Sequence, residues 1–237
     1  MNRIPQIIYH DLGSLAYKTA WDYQEQVFKE RVDRKLLNRE LEYDKRVFLD
    51  NLLLFVEHPH VYTLGKSGQS NNMLISEEFL NKINAVYFKS DRGGDVTYHG
   101  PGQIVGYPVF DLDQFGIHLK EYVYSIEECI IIYLKSKGIE ASRMEGATGV
   151  WIDPLSSGAR KICAIGVKAS RFITMHGFAF NVNTDLKYFS HINPCGFIDK
   201  GVTSLENELG KTQNIEEVKN HLKDIFISYF QNLAMNK

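Results

Sequence analysis

Between residues 48 and 182 the chain breaks into short apolar runs separated by polar or glycine-rich turns, and this pattern limits the fold more than any other feature. Residues 48–56, 61–64, 104–110, 149–152, 161–168 and 173–182 each predict a strand. The last of these alternates, with Phe178, Phe180 and Val182 on one face. Residues 4–9 predict a further short strand. Helical spacing frames the strands. Ala16, Ala20, Tyr23 and Val27 recur at three- and four-residue intervals, as do Leu119, Val123, Ile126, Ile130 and Tyr133, and then Val218, Leu222, Ile225 and Tyr229. The charged stretch 29–46 predicts a continuation of the first helix, with a solvated face, and then a solvated connection. Strands gathered in the middle and punctuated by helices predict an α+β (mixed α/β) fold in a single compact domain over residues 1–237.

With 44% apolar and 24% charged residues, the chain has enough material for a real core. A net charge of −2 lacks the basic excess of a general nucleic-acid surface. No apolar run reaches the length of about 18 residues that a transmembrane helix needs. Residues 1–5 lack the apolar core of a signal peptide. Three widely spaced cysteines suit reduced thiols in a cytoplasmic protein.

The stretch RGGDVTYHGPGQ (92–103) holds four glycines, a proline, two basic side chains and a carboxylate. Its glycines permit positive φ and a close approach of ligand to backbone, and consecutive N–H groups can form an anion-holding concavity. A tight hairpin between two strands is the competing reading. Neither a phosphate-binding GxxxxGK[ST] loop nor a dinucleotide-binding GxGxxG fingerprint is present. Cys195 lies in the turn Asn193-Pro194-Cys195-Gly196, a good place for an exposed nucleophile. Cys129 falls inside the second helix and Cys163 inside an apolar strand, so both read as structural. Lys161 opens the strand KICAIGVK. His99 and His176 read as hydrogen-bonded structural groups. No metal-ligand spacing appears, and neither a metal nor another cofactor is expected.

Taken in order, EHPHVYTLG (57–65), RGGDVTYHGPGQ (92–103), GARKICAIGVK (158–168), HGFAFNVNTDL (176–186) and INPCG (192–196) make the chain resemble the lipoyl(octanoyl) transferase family of lipoate biosynthesis. The resemblance implies a central mixed or antiparallel sheet flanked by helices, similar to the catalytic domain of lipoate- and biotin-protein ligases. It also implies transfer of an octanoyl group from octanoyl-acyl carrier protein to a lysine of a lipoyl domain. Such acceptors belong to 2-oxo-acid dehydrogenase complexes and to the glycine cleavage H protein. By motif, the acyl-carrying cysteine falls on Cys195 and its lysine partner on Lys161. The acyl pocket falls on Arg92, Gly93, Gly94, Asp95, Val96, Thr97, Tyr98 and His99, on Ala164, Ile165 and Gly166, and on Gly177, Phe178 and Ala179. Many relatives carry Ser at Ala164 and Leu at Phe178, which bears on chain-length preference and pocket width.

The implied chemistry is a ping-pong acyl transfer that needs no ATP, because a thioester is already activated. Three other readings stay open on sequence. They are an ATP-dependent lipoate-protein ligase, a cysteine hydrolase with His99 as base, and a non-catalytic acyl-carrier-binding module. An acidic carrier also predicts a local basic patch, with Lys66, Arg92 and Lys168 as its candidates.

Overall fold

The computed structural model describes residues 4–193 and 200–236. Its strands are β1 (Ile7–Ser14), β2 (Asn51–Glu57), β3 (Val61–Leu64), β4 (Val86–Lys89), β5 (Val96–His99), β6 (Gln103–Val109), β7 (Ser142–Met144), β8 (Ala147–Ile152), β9 (Arg160–Ser170), β10 (Ile173–Asn181) and β11 (Gly201–Val202). Its helices are α1 (Tyr17–Arg39), α2 (Glu77–Lys82), α3 (Leu112–Phe115), α4 (Leu119–Ser136), α5 (Leu205–Leu209) and α6 (Ile215–Met235). This is an α+β fold with a mixed sheet flanked by helices, as the sequence predicts.

The large sheet runs β1-β2-β6-β10-β9-β8-β7, and β11 pairs with β9 off that path. A second sheet runs β4-β3-β5. Both faces of the large sheet are covered, which explains the unbroken apolar run in β2. Leu53 and Phe55 point with Ile104, Phe178 and Phe180 toward α4 and α6, where Tyr122, Ile126, Ile130, Leu222, Phe226 and Phe230 complete the core. Leu52, Leu54 and Val56 point the other way, against Ala20 and Val27 of α1. The hairpin reading of residues 92–103 fails. β5 pairs with β3 in the small sheet, whereas β6 pairs with β2 and β10 in the large one. The glycine-rich segment thus holds the end of the β4–β5 loop, then β5, and passes from the small sheet to the large one at residues 100–102.

Helix α1 continues to Arg39 and residues 40–46 are exposed, as the sequence predicts, but Arg31 and Asn38 turn inward, as Gln24 does, on the same stripe as Tyr17, Ala20 and Val27. Each finds backbone partners, as burial of polar groups favours, although Arg31 Nε has none. Arg31 donates to Asp50 O at 2.6 Å, and Asn38 exchanges two bonds with Val47 at 2.8 and 3.0 Å. Gln24 Oε1 accepts from His176 N at 3.0 Å. The second strand also begins at Asn51, later than residue 48.

Pro108 lies in the middle of the large sheet, where it cannot donate to a ladder. The β6–β10 register runs from Asn181↔Gln103 to Phe178↔Gly106 and stops there, short of Pro108. Thr174 Oγ1 and Tyr122 OH donate to Pro108 O, each at 2.9 Å. Beside this interruption His176 adopts φ +58°, and its side chain is aimed away from the ladder toward residue 91, a known use of local strand distortion.

Strand packing here leaves no room for a side chain at Gly177, whose added Cβ would lie 2.2 Å from Gly106 O. We expect Gly177→Ala to lower stability by about 3 kcal/mol. Gly138, at φ +76° with nothing within 4 Å of its Cβ, should lose only about 1 kcal/mol on the same change. Urea denaturation of the two variants checks the order; equal losses would refute the packing argument.

Candidate active site

A cavity of about 430 Å³ opens beside the sheet crossing, walled by the 92–97 segment, β8–β11 and the buried ends of β6 and α1. The loop between β4 and β5 is held against β3 by a buried guanidinium. Arg92 Nε donates to Thr63 Oγ1 at 3.2 Å, one terminal nitrogen to Thr63 O at 2.6 Å and Asp95 O at 2.8 Å, and the other to Gly93 O at 3.0 Å. Gly93 N is spent on Val167 O at 2.9 Å, so this N–H does not serve an anion. Glycine is needed under the loop as much as in it. A Cβ at Gly65 would lie 2.3 Å from Gly94 O, and one at Gly166 2.7 Å from Gly93 O.

Arg92, Gly93, Gly94, Asp95, Val96, Thr97 and His99 line the cavity, with Ala164, Ile165, Gly166, Gly177, Phe178 and Ala179 opposite. Tyr98 does not. Strand alternation turns it to the far side, where its hydroxyl bonds His60 Nδ1 at 2.7 Å and its ring stacks on Tyr188 at 4.9 Å. Phe178 reaches the wall, but its ring packs between Phe55 and Phe226, with centroids at 5.9 and 5.0 Å. Tyr17, Gln103, Val105, Tyr107, Trp151, Asn181 and Lys200 also line the cavity. Sequence reasoning passed over them, because each reads locally as an ordinary strand, helix or loop residue.

One wall is a chain of neutral polar groups. Gln103 Nε2 donates to Tyr98 O and Asn181 Oδ1 at 3.1 and 2.9 Å, so Gln103 Oε1 must accept. His99 Nδ1, 2.8 Å from that oxygen, therefore carries the proton. The other ring nitrogen then accepts from the Thr63 hydroxyl at 3.3 Å. Burial, aided by the nearby His58 and the Arg92 charge, pushes the His99 pKa well below the usual histidine value. His58 is fixed likewise, with Nδ1 on Leu15 O and Nε2 on Tyr107 OH, both at 2.7 Å. Burial lowers its pKa to about 4. His176 Nε2 lies 2.7 Å from Asp91 Oδ1, and Lys168 pairs with the other oxygen. The His176 hydrogen bond, joined by Lys168, holds the Asp91 carboxyl below the usual carboxylate range against the effect of its burial. Hydrogen-bonded structural histidines were expected at 99 and 176, and the geometry agrees.

Lys161 stands on the opposite wall. Its Nζ lies 4.7 Å from the Trp151 ring centroid, over the indole face, an arrangement that favours a cation. Trp151 is itself fixed by Nε1 donating to Ala147 O at 2.9 Å. The lysine stem passes Gly149, whose added Cβ would lie 3.4 Å from two of its carbons. Lys161 pairs in register with Trp151 on one side and Val202 on the other. Cys195 lies outside the described residues. Cys129 and Cys163 are buried, and burial pushes both thiols up in pKa, as suits structural cysteines. The expected basic patch needs correction. Arg92 is buried in the loop between β4 and β5 and Lys168 is bound to Asp91, which leaves Lys66 as the exposed member of the three.

The sequence model of the lipoyl protein ligase A/B catalytic domain matches residues 16–227. The chain belongs to this family. Relatives called octanoyltransferase include one from Cytophaga hutchinsonii, 51% identical over 97% of this chain and 95% of its own. Another, from Parabacteroides distasonis, is 53% identical over 94% of this chain and 97% of its own. A solved bi-partite lipoate protein ligase from Thermoplasma acidophilum has the same fold, with a TM-score of 0.65 at 17% identity over 98% of this chain and 91% of that one. The present family member is an acyltransferase. No described helix is long and apolar enough to cross a membrane.

The neutral histidine wall has a pH signature. The folded chain keeps His58 uncharged down to about 4, while the unfolded chain takes up the proton near 6.5. Its contribution is therefore complete above about 6.5 and is lost as pH falls toward 4, reaching roughly 3 kcal/mol. In His58→Gln, which retains a donor and an acceptor, the loss of stability between these pH values should be shallower by that amount. Equal slopes in urea titrations of the two proteins would show that His58 is not responsible.

Proposed function

We propose that this enzyme transfers an octanoyl group from octanoyl-acyl carrier protein to a lysine of lipoyl domains in lipoate biosynthesis, with all of residues 1–237 serving one catalytic domain in the cytoplasm. The acceptors are the lipoyl domains of 2-oxo-acid dehydrogenase complexes and the glycine cleavage H protein. The observation that carries this reading is the pair of octanoyltransferase relatives matched almost end to end at more than half identity. The cavity supports it, being mostly apolar in its walls and larger than an eight-carbon chain requires.

Cys195 is the proposed nucleophile. Its thiolate attacks the carrier thioester carbonyl, the carrier thiolate leaves and takes a proton, and an octanoyl thioester remains on the enzyme. The uncharged acceptor amine then attacks that thioester. An amide forms, the amine proton is lost, and Cys195 is released as thiolate. Lys161 is the proposed electrostatic and proton-handling partner. In support, Val202, which pairs with Lys161, and Lys200 and Gly201, which line the cavity, follow the 194–199 segment directly.

Magnitudes limit what the cation alone can do. A fall of about two pKa units in the thiol raises the thiolate fraction by about 25-fold. Intrinsic nucleophilicity drops by about eightfold at the same time, leaving a net gain of about threefold. Orientation and an oxyanion donor, the latter worth about 3 kcal/mol, must supply more. The hydrolase reading loses its base, because both ring nitrogens of His99 are engaged and its pKa is strongly lowered. A ligase would acylate a lipoyl domain from free octanoate and Mg-ATP. The proposed enzyme should not, and such ATP-dependent acylation would replace this reading.

Intact-mass spectrometry after mixing with octanoyl-acyl carrier protein should reveal one octanoyl adduct that hydroxylamine removes. Cys195→Ala should abolish it, whereas Cys129→Ala and Cys163→Ala should retain it; a persisting adduct in Cys195→Ala would end the mechanism. Lys161→Arg keeps the charge but cannot readily give up a proton. It should form the adduct yet fail by roughly 100-fold in transfer to the lipoyl domain. Wild-type single-turnover transfer by the Arg variant would reduce Lys161 to an electrostatic neighbour.

A further inference from the structure

Asn72 belongs to none of the motifs that mark the site, yet its two polar ends reach two of them. Its side-chain Nδ2 donates to Asp95 Oδ2 at 2.5 Å. Its backbone carbonyl accepts from Asn193 N at 2.9 Å. Asp95 Oδ1 accepts from Val96 N at 2.7 Å, so both carboxylate oxygens are engaged. The strip continues as Met73 bridges Ile192 in antiparallel fashion and Leu74 N donates to His191 O at 3.0 Å. At the other end of the same loop, Lys66 N and Ser67 N donate to Arg92 O and Gly94 O at 2.9 and 3.2 Å. Loop 66–72 is therefore laced to the glycine segment at its start and to Asn193 at its end. Asn193 precedes Cys195 by two residues.

We propose that Asn72 is a positioning residue for acyl transfer, holding the glycine segment and Asn193, two residues before Cys195 in sequence, in one register. The inference rests on the reading that Cys195 carries the acyl group. Its logic is geometric. The Asn193 bond alone ties one segment to the loop, and the Lys66 and Ser67 bonds tie the other segment to the far end of that loop. The Asn72 amide closes the gap at Asp95, so the glycine segment and Asn193 cannot shift independently. Displacement of a reacting group by about 1 Å can cost on the order of 100-fold in rate. The side-chain type matters. Asp at this position would have nearly the same shape but set two carboxylates at hydrogen-bond distance, which repel. Ala would leave Asp95 Oδ2 without its donor.

The test measures two rates in the wild type, N72A, N72D and the double variant N72D/D95N. One is octanoyl-adduct formation from octanoyl-acyl carrier protein. The other is iodoacetamide alkylation of Cys195, located by peptide mapping. N72A and N72D should slow adduct formation by about 30- to 100-fold. The double variant exchanges donor and acceptor across the same bond and should form the adduct about tenfold or more faster than N72D. A role in folding alone would change the melting temperature without producing that reciprocal rescue. Wild-type rates in both single variants, or a double variant as slow as N72D, would overturn the proposal. Alkylation separates this from failure of the acyl-transfer reading. Should wild type form no adduct, equal alkylation in all four proteins still overturns the clamp, and a change in N72D that reverts in the double variant still supports it. If N72D does not fold, N72A decides by the same two rates, because it adds no charge.

Discussion

The site depends on the burial of one guanidinium. Arg92 holds its donors against Thr63 of the small sheet and against Gly93 and Asp95 of its own loop. Taking a cation out of water is costly unless its N–H groups find oxygens, and here oxygens of β3 and of the loop between β4 and β5 supply them. That requirement fixes the β4–β5 loop against β3, and Gly93 N carries the link on to the large sheet through Val167 O. The same Thr63 hydroxyl that accepts from Arg92 is the one that His99 meets, so the tautomer of a buried ring follows from the placement of a charge on another segment. Remove Arg92, and Thr63, Asp95 and Gly93 lose their common partner at once.

The cavity is chemically divided as a result. On the α1 side stand His58, His99, Tyr17 and Tyr107, with both histidines held neutral by burial and both phenols pushed upward in pKa. On the β8–β11 side stand Lys161, resting over Trp151, and Lys200. Arg92 and Asp95 also line the cavity, and the Arg92 charge is spent on oxygens of Thr63, Gly93 and Asp95.

Much of this was legible in the sequence, for identifiable reasons. The strands that build the sheet are buried on one or both faces, and their apolar runs record it; residues 61–64 were read with the boundaries that β3 shows. α4 and α6 bury apolar stripes at helical spacing. What the sequence hid was polar material used as core. Gln24, Arg31 and Asn38 look solvated until backbone groups distant in sequence are brought to them. Tyr98 reads as a pocket residue by its place in a motif, yet strand alternation faces it away from the cavity, and the sheet that decides this is formed by pairing with β3. Short elements such as α2, α3 and α5 carry no periodicity of their own and are set by caps, at Ser76, Asp111 and Ser204. Cys195 and Lys161 were named from motifs, and spacing alone would have ranked neither above an ordinary cysteine or a surface lysine.

The covering of the large sheet has a consequence for biosynthesis. One face is sealed by α1, which leaves the ribosome before any of the strands it lies on except β1. The other face needs α6, whose Leu222, Phe226 and Phe230 pack against side chains of β2, β6 and β10. A nascent chain that has already paired its strands therefore carries an uncovered aromatic surface, including Phe55 and Phe178, until α6 has been translated. Synthesis proceeds at about 5–20 residues per second, so the stretch from β10 to the end of α6 leaves that surface open for seconds. During this interval the half-built domain is a natural client for chaperones that bind exposed apolar sheet.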